Sequence, residues 1–309
     1  METNFLYMNI CVKLCSQNPI YVEYCKQYFD TCVECLDTYS DVTITIELRE
    51  EEKEHDEAYR DVTGHSSTFS VFYNKDLNKL VVYSVAEEHA KDIMRLVREI
   101  ILYCCTYRNN CSFLHSACVG YNKKAVALLG KKFSGKTTLC LQLLKNGWDY
   151  ISNDKLILQR VEDGIHCWGL PIAMGVREGT KELFLEYLQG LKIEEPDNRL
   201  FLYPHEIAER YNTKIINDAP LYLIVLPTYE PNANEISITK VSKKLLRNLV
   251  YEQYLETLYA DLRKTRGFEP HSDFSVLERV CDIPAYRITT NSHLNDKISN
   301  AVQKLLDRL

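Results

Sequence analysis

Residues 128–154 read LLGKKFSGKTTLCLQLLKNGWDYISND, and the punctuation of this stretch decides the fold. The run KAVALLG (124–130) is apolar and β-prone, and it ends on glycine. Leu139, Leu141, Leu143 and Leu144 then make an apolar helical segment that breaks at Gly147. Between the two lies Gly130-Lys131-Lys132-Phe133-Ser134-Gly135-Lys136-Thr137, followed by Thr138, which fits the pattern G-x-x-x-x-G-K-[ST]. Strand, glycine-bounded loop and helix, in that order, is what a phosphate-binding loop requires. The glycines let the backbone fold tightly, so that successive N–H groups converge on phosphate oxygens. The helix that follows points its positive end at the same anion. Lys136 would add a cation at the β- and γ-phosphates, and Thr137 a hydroxyl for Mg²⁺. The competing reading is an accidental glycine turn before a core helix, and the context on both sides speaks against it.

A nucleotide site also needs a metal carboxylate. ISND (151–154) follows the helix and one further short β-run, so Asp154 falls at a strand end near the phosphates. The same residue also fits a plain strand-end turn.

Working outward, 113–121 and 124–130 read as two strands joined by a short turn. KLILQRV (155–161) and IHCWGL (165–170) flank Asp163-Gly164, a hairpin signal. A helix is expected over 181–189, stopping at Gly190. LYLIVLP (221–227) suits a strand buried on both faces. Ser242 is placed to cap a helix with the stripe Leu245, Leu246, Leu249, Val250, Leu255 and Leu258. A last helix carries Ile298, Ala301, Val302 and Leu305, and RKTRGFEPHSD (263–273) reads as a mobile loop.

The N-terminal part has a different grain. Phe5 to Leu14 reads as a strand. Asn18-Pro19 opens a helix whose apolar stripe runs to Cys32 and Cys35/Leu36. Val42, Ile44, Ile46 and Leu48 alternate as a half-buried strand. The charge run 47–61 reads as a solvated loop, with an acidic docking surface as the alternative. TFSVFY (68–73) and KLVVYSV (79–85) form a hairpin, and a helix follows over 87–107. The polar break RNNCS (108–112) marks the domain boundary, which gives an accessory domain over 1–108 and a catalytic domain over 109–309.

Bulk properties narrow the function. The chain has 309 residues, 46% hydrophobic and 26% charged, the balance of a globular protein with a sizeable core. A formal charge of −6 argues against nucleic acid as a partner. No apolar run nears the roughly 20 residues that span a bilayer, so no membrane partner is expected. The start of the chain has no basic region and no signal-like apolar core, which points to the cytoplasm. Twelve scattered cysteines then read as thiols. Cys11, Cys15, Cys25, Cys32 and Cys35 raise a metal or redox site, but the CxxC has no second copy, and its cysteines fall on the apolar stripe.

The motifs together carry a resemblance. FLHSACV, GKKFSGKTT, KNGWDYISND, WGLPIAMGVREGT (168–180) and NDAPLYLIVLP (217–227) are similar to the HPr serine kinase/phosphorylase family. The fold of that family is related to phosphoenolpyruvate carboxykinase. Over about residues 70–309 the pattern looks most like the branch that phosphorylates lasso-type precursor peptides. The resemblance implies an α/β P-loop kinase core with a mixed sheet, preceded here by a small α+β domain. It implies transfer of a phosphoryl group from ATP or GTP, with Mg²⁺, to a serine on a peptide or small protein.

It also implies roles. The family carries two adjacent aspartates after the loop helix, the first a general base and the second a metal ligand. Here the pair is Asn153-Asp154, and an amide cannot accept the serine proton as a carboxylate does. Asp154 or His115 could take that role, or base catalysis could contribute little to a loose transition state. His115 matches a family histidine before the loop hairpin, and also fits a core histidine held by backbone. Arg177 matches an arginine that faces the transferred phosphoryl, and also fits a surface ion pair. Arg199 and Lys155 are weaker candidates of the same kind. Three functions stay open: a peptide serine kinase, a non-catalytic nucleotide-binding regulator favoured by Asn153, and last a small-molecule kinase or carboxykinase. A homo-oligomer is compatible with all three.

Overall fold

The computed structural model describes residues 1–29, 33–34, 40–49, 59–61, 70–74, 79–83, 101, 111–170, 173–191, 193–194, 199–257, 273–291 and 295–309. They fall into two compact units, one before residue 111 and one from Cys111 onward. No helix of the described residues is long and apolar enough to cross a membrane.

The first unit is built on a seven-stranded sheet. Its strands are β1 (Glu2–Tyr7), β2 (Ile10–Ser16), β3 (Val33–Glu34), β4 (Val42–Arg49), β5 (Tyr59–Asp61), β6 (Ser70–Asn74) and β7 (Lys79–Tyr83), in the order β3-β1-β2-β4-β7-β6-β5. The segment expected to be one strand from Phe5 to Leu14 is a hairpin. Met8 and Asn9 sit at φ +50 and +61, a two-residue turn whose positive φ values match strand twist. Asn9 tolerates that conformation, but a methionine gives no warning of it.

Helix α1 (Pro19–Tyr28) is capped by Asn18, whose side chain accepts from Ile20 N at 3.0 Å. It ends earlier than the apolar stripe suggests, because Val33–Glu34 pairs with β1 instead. The expected place of Cys32 and Cys35 on that helix falls on residues outside the described part. Cys11, Cys15 and Cys25 are thiols that take part in no disulfide. Among the described residues no group of His, Cys, Asp and Glu is suited to a metal ion. The charge run 47–61 is corrected at its ends, where β4 continues through Arg49 and β5 occupies 59–61, and residues 50–58 lie outside the described part. The 87–107 helix, apart from Ile101, and the loop over 263–272 lie outside the described residues.

The second unit holds a nine-stranded mixed sheet. Its elements begin with β8 (Cys111–Leu114), β9 (Ser116–Tyr121), β10 (Lys124–Leu129), α2 (Lys136–Lys145), β11 (Asp149–Ser152), β12 (Leu156–Val161), β13 (Gly164–Gly169) and β14 (Met174–Val176). Next come α3 (Glu178–Lys181), a 3₁₀ turn (Glu182–Phe184), α4 (Leu185–Leu188), β15 (Ile193–Glu194), β16 (Arg199–Leu202) and α5 (Pro204–Tyr211). The chain closes with β17 (Asp218–Tyr229), β18 (Ser237–Lys240), α6 (Lys243–Thr257), α7 (Phe274–Val280), β19 (Ala285–Thr290) and α8 (Asn295–Leu306). The order is β11-β9-β10-β17-β13-β12-β8, with β19 on β17 and β18 on β19. Strands β14, β16 and β15 make a small separate sheet.

Two features shape the sheet. The chain bends at His115, so β8 pairs with β12 while β9 pairs with β10 and β11. The expected single strand over 113–121 is therefore two. Strand β17 carries β10 on one edge; on the other it carries β13 at its start and β19 at its end. The sheet forks there and curls.

Helices α2 and α8 cover the sheet around Trp148, which is fully buried and donates from Nε1 to Ser299 Oγ at 3.0 Å. Helix α2 is buried nearly all round, from Leu139 to Leu144, as a central helix should be. Helices α6 and α7 pack on β8, where Tyr254 meets Phe113 and Phe274 at ring distances of 6.4 and 5.4 Å. Ser242 caps α6, accepting at its Oγ from Leu245 N at 3.3 Å. Leu245 is exposed, unlike the rest of its expected stripe at Leu246 and Val250. The side chain of Leu255, and all of Leu258, lie outside the described part. The expected 181–189 helix is broken into α3, the 3₁₀ turn and α4. The β12–β13 turn is Glu162-Asp163, with Gly164 opening the next strand opposite Val161.

Candidate functional site

Register places the candidate residues at one end of the sheet. Strand β11 runs antiparallel to β9, and β9 antiparallel to β10. The C-terminal ends of β10 and β11 therefore share an edge, and so does the start of β9. Gly130 leaves β10 at that edge, and Asn153-Asp154 leave β11 there. Leu129 pairs with Ser116, so His115, the bend residue just before β9, lies at that edge as well. His115 is half-buried.

The loop 130–135 turns tightly between β10 and α2. Ser134 N donates to Lys131 O at 3.1 Å, closing the turn. Gly135 caps α2 at φ +94, a left-handed conformation in which glycine is at ease. A Cβ at Gly130 would come within 2.6 Å of Ser134 Oγ, so the backbone there approaches closer than a side chain allows. Lys136 is 7% exposed and lies across the loop, donating from Nζ to Gly130 O at 2.6 Å and Lys131 O at 3.1 Å. The first turn of α2 holds no acidic residue. Ser134 Oγ is buried and has no hydrogen-bond partner among the described residues.

Around the loop, Thr137 Oγ1 donates to Asn153 Oδ1 at 3.3 Å, and Asn153 is 2% exposed. Asp154 is half-buried beside it. Burial first, and the Asp154 charge second, hold the Cys140 thiol well above its ordinary range. Ser152 Oγ donates to Lys155 O at 2.6 Å and fixes this turn. Arg177 precedes α3 and stacks over the Phe133 ring, with Cζ 4.7 Å from the centroid. Thr138 Oγ1 and Thr180 Oγ1 meet at 2.7 Å. Lys131 pairs with Glu252 of α6 at 3.0 Å.

The loop residues, Asn153 and Arg177 are thus brought together by direct contacts, Thr137 with Asn153 and Phe133 with Arg177. His115 and Asp154 reach the same edge by register. Arg199 is set in β16, and its side chain lies outside the described part. Thr180 and Glu252 went unnoticed in the sequence, where nothing local distinguishes them from surface residues.

The donor set suits a magnesium-bound nucleotide. The cradle at Gly130, the orphaned Ser134 hydroxyl and the Lys136 ammonium are groups that hold phosphate oxygens. The Thr137 hydroxyl, Asn153 Oδ1 and the Asp154 carboxylate are hard oxygen donors. Mg²⁺ takes only one or two such ligands from a protein when phosphates supply the rest.

No family model matches the chain, and no curated protein matches it. Among solved structures it is similar to the Hpr(Ser) kinase/phosphatase from Coxiella burnetii, at 10% identity and a TM-score of 0.32. The match covers 62% of this chain and 95% of that one. A likeness so slight carries no conclusion about fold or chemistry.

Proposed function

We propose that the chain transfers a phosphoryl group from a magnesium-bound nucleoside triphosphate, ATP or GTP, to a serine hydroxyl of a peptide or small protein. The observation that supports this most is the loop 130–137, closed at the head of α2 with Lys136 lying across it and Thr137 held by Asn153. In the transfer, the bond between the γ-phosphorus and its bridging oxygen breaks and a bond to the serine oxygen forms. The serine proton is released. The metal ion would offset charge on the phosphates. Lys136 orients the phosphate oxygens, and Arg177 supplies a second cation at the loop. Asp154 is the nearest carboxylate in sequence to Asn153 and would take the released proton or hold the metal ion. In a loose transition state, positioning and charge carry most of the rate. A ribosomal natural-product precursor is the acceptor class that the sequence motifs favour.

A second reading is supported by Asn153. The residue that reaches Thr137 is a neutral amide, which suits a nucleotide-binding regulator that moves no phosphoryl group. Intact-mass analysis with Mg-ATP and a panel of serine-containing peptides separates the two. A gain of one phosphate that Lys136→Ala abolishes supports transfer. Nucleotide binding by calorimetry with no gain on any peptide supports the regulator.

A further inference from the structure

Phe133 is at odds with its place in the loop. Its backbone has φ +68, in the left-handed region where glycine or asparagine is the ordinary choice and a bulky residue is strained. Its ring is 74% exposed, so no burial offsets that strain. A residue both strained and unburied gains no core packing in return for its strain. Such residues concentrate where another molecule is received.

The ring is flanked by cations. Arg177 Cζ stands 4.7 Å from its centroid and Lys132 Nζ 5.4 Å. Neither takes part in an ion pair among the described residues, whereas the adjacent Lys131 is paired with Glu252 at 3.0 Å. The loop therefore has two sides of different chemistry. Its interior presents Gly130, the Ser134 hydroxyl and Lys136 to phosphate. Its rim presents an aromatic face between two cations that are in no ion pair among the described residues, on a chain whose formal charge is −6.

Resting on the phosphotransfer reading, we propose that Phe133 is a positioning residue for the acceptor. With Lys132 and Arg177 it selects an acidic peptide segment beside the acceptor serine. Carboxylates of that segment meet the two cations, the guanidinium in bidentate fashion. Its backbone and methylene groups cover the ring, and the ring holds both cations in place from their far side. The strained backbone turns the ring outward, to the acceptor side of the loop.

The test is binding, measured apart from transfer. Fluorescence anisotropy is read for a labelled dodecapeptide with one serine flanked by glutamates, and for its glutamine and lysine counterparts. Mg²⁺ and a non-hydrolysable ATP analogue are present throughout. The wild-type chain is expected to bind the glutamate peptide at least about tenfold tighter than the glutamine peptide, with the lysine peptide weaker still. Phe133→Gly, which keeps the left-handed backbone at lower strain, should weaken the glutamate peptide about tenfold more than it weakens the analogue. Phe133→Tyr should restore the peptide affinity, and thermal melts check that each variant is folded.

Equal affinity for glutamate and lysine peptides, or binding of none of the three, overturns the proposal. So does a Phe133→Gly variant that loses analogue and peptide alike, which would make the ring a nucleobase platform. Selective binding of the glutamate peptide without transfer upholds recognition of an acidic segment at Phe133, and rejects both the kinase reading and the positioning of an acceptor. Transfer that ignores Phe133 upholds the kinase reading and rejects the role of Phe133.

Discussion

The hydroxyls of Thr138 and Thr180 meet at 2.7 Å, joining the first turn of α2 to the helix that Arg177 precedes. That bond ties the segment that follows Arg177 to the helix behind the loop. Thr138→Val and Thr180→Val, alone and together, form a double-mutant cycle in urea unfolding. The coupling should be about 0.5–1.5 kcal/mol, the usual net worth of one hydrogen bond. Thr180→Val should also weaken nucleotide binding; unchanged affinity would detach Arg177 from the site.

Lys136→Ala removes the ammonium that lies across the loop. Nucleotide affinity should fall at least about 100-fold, or about 2.7 kcal/mol, and transfer should vanish. The far-UV circular dichroism should stay as in the wild type. Undiminished turnover in this variant would remove the phosphate-loop assignment.

Asn153 is the most informative single position. Asn153→Ala deprives the half-buried Thr137 of its acceptor and should lower stability by about 0.5–1.5 kcal/mol. Asn153→Asp keeps the acceptor oxygen and adds charge beside the magnesium ligands. It should tighten Mg²⁺-nucleotide binding in calorimetry, and raise transfer if base catalysis matters. A variant that gains in neither respect would show that the carboxylate work belongs to Asp154.

Gly169 shows how closely two strands cross beneath the site. A Cβ there would lie 1.7 Å from the Ile151 backbone oxygen, and no side chain can move aside to admit it. Gly169→Ala should cost more than about 3 kcal/mol, read from the urea midpoint. Because Ile151 lies in the strand that leads to Asn153, nucleotide affinity should fall in the same variant.

Alkaline pH should destabilise the second unit. Burial first, and the Asp273 charge second, push the Cys111 thiol from 9.0 up to about 12. Burial likewise pushes Cys281 up to about 11. Between about pH 9 and pH 12 the unfolded chain releases thiol protons that the folded chain keeps. Stability therefore falls as pH rises through that window, and Cys111 alone contributes about 1.4 kcal/mol per pH unit there. Urea midpoints from pH 8 to pH 11 measure the slope, and Cys111→Ala should flatten it.

How much of this was legible in advance depends on where each residue finds its partner. The loop 130–137 could be read because its glycines, its lysine and the helix behind it act within a few residues of one another. The β12–β13 hairpin and the Ser242 cap were legible for the same reason. The break at His115 was not, because it exists only to let β8 and β9 take different neighbours. Strand β18, whose four residues are all exposed, shows no alternation to read and is held only by β19. Helix α1 stops at Tyr28 because β1 recruits Val33–Glu34, a pairing that no periodicity announces. The bond from Thr138 to Thr180 spans distant segments, and threonines give no sign of it in sequence.

The fork at β17 has a consequence for how the second unit comes apart. Ile224 and Val225 are flanked on both edges, by Ala127 and Leu128 of β10 and by Ala285 and Tyr286 of β19. Neither β10 nor β19 can detach without exposing the backbone of β17 at this crossing. The amides at this crossing should be the last to exchange with deuterium, and the free energy of their exchange should equal that of unfolding the whole unit.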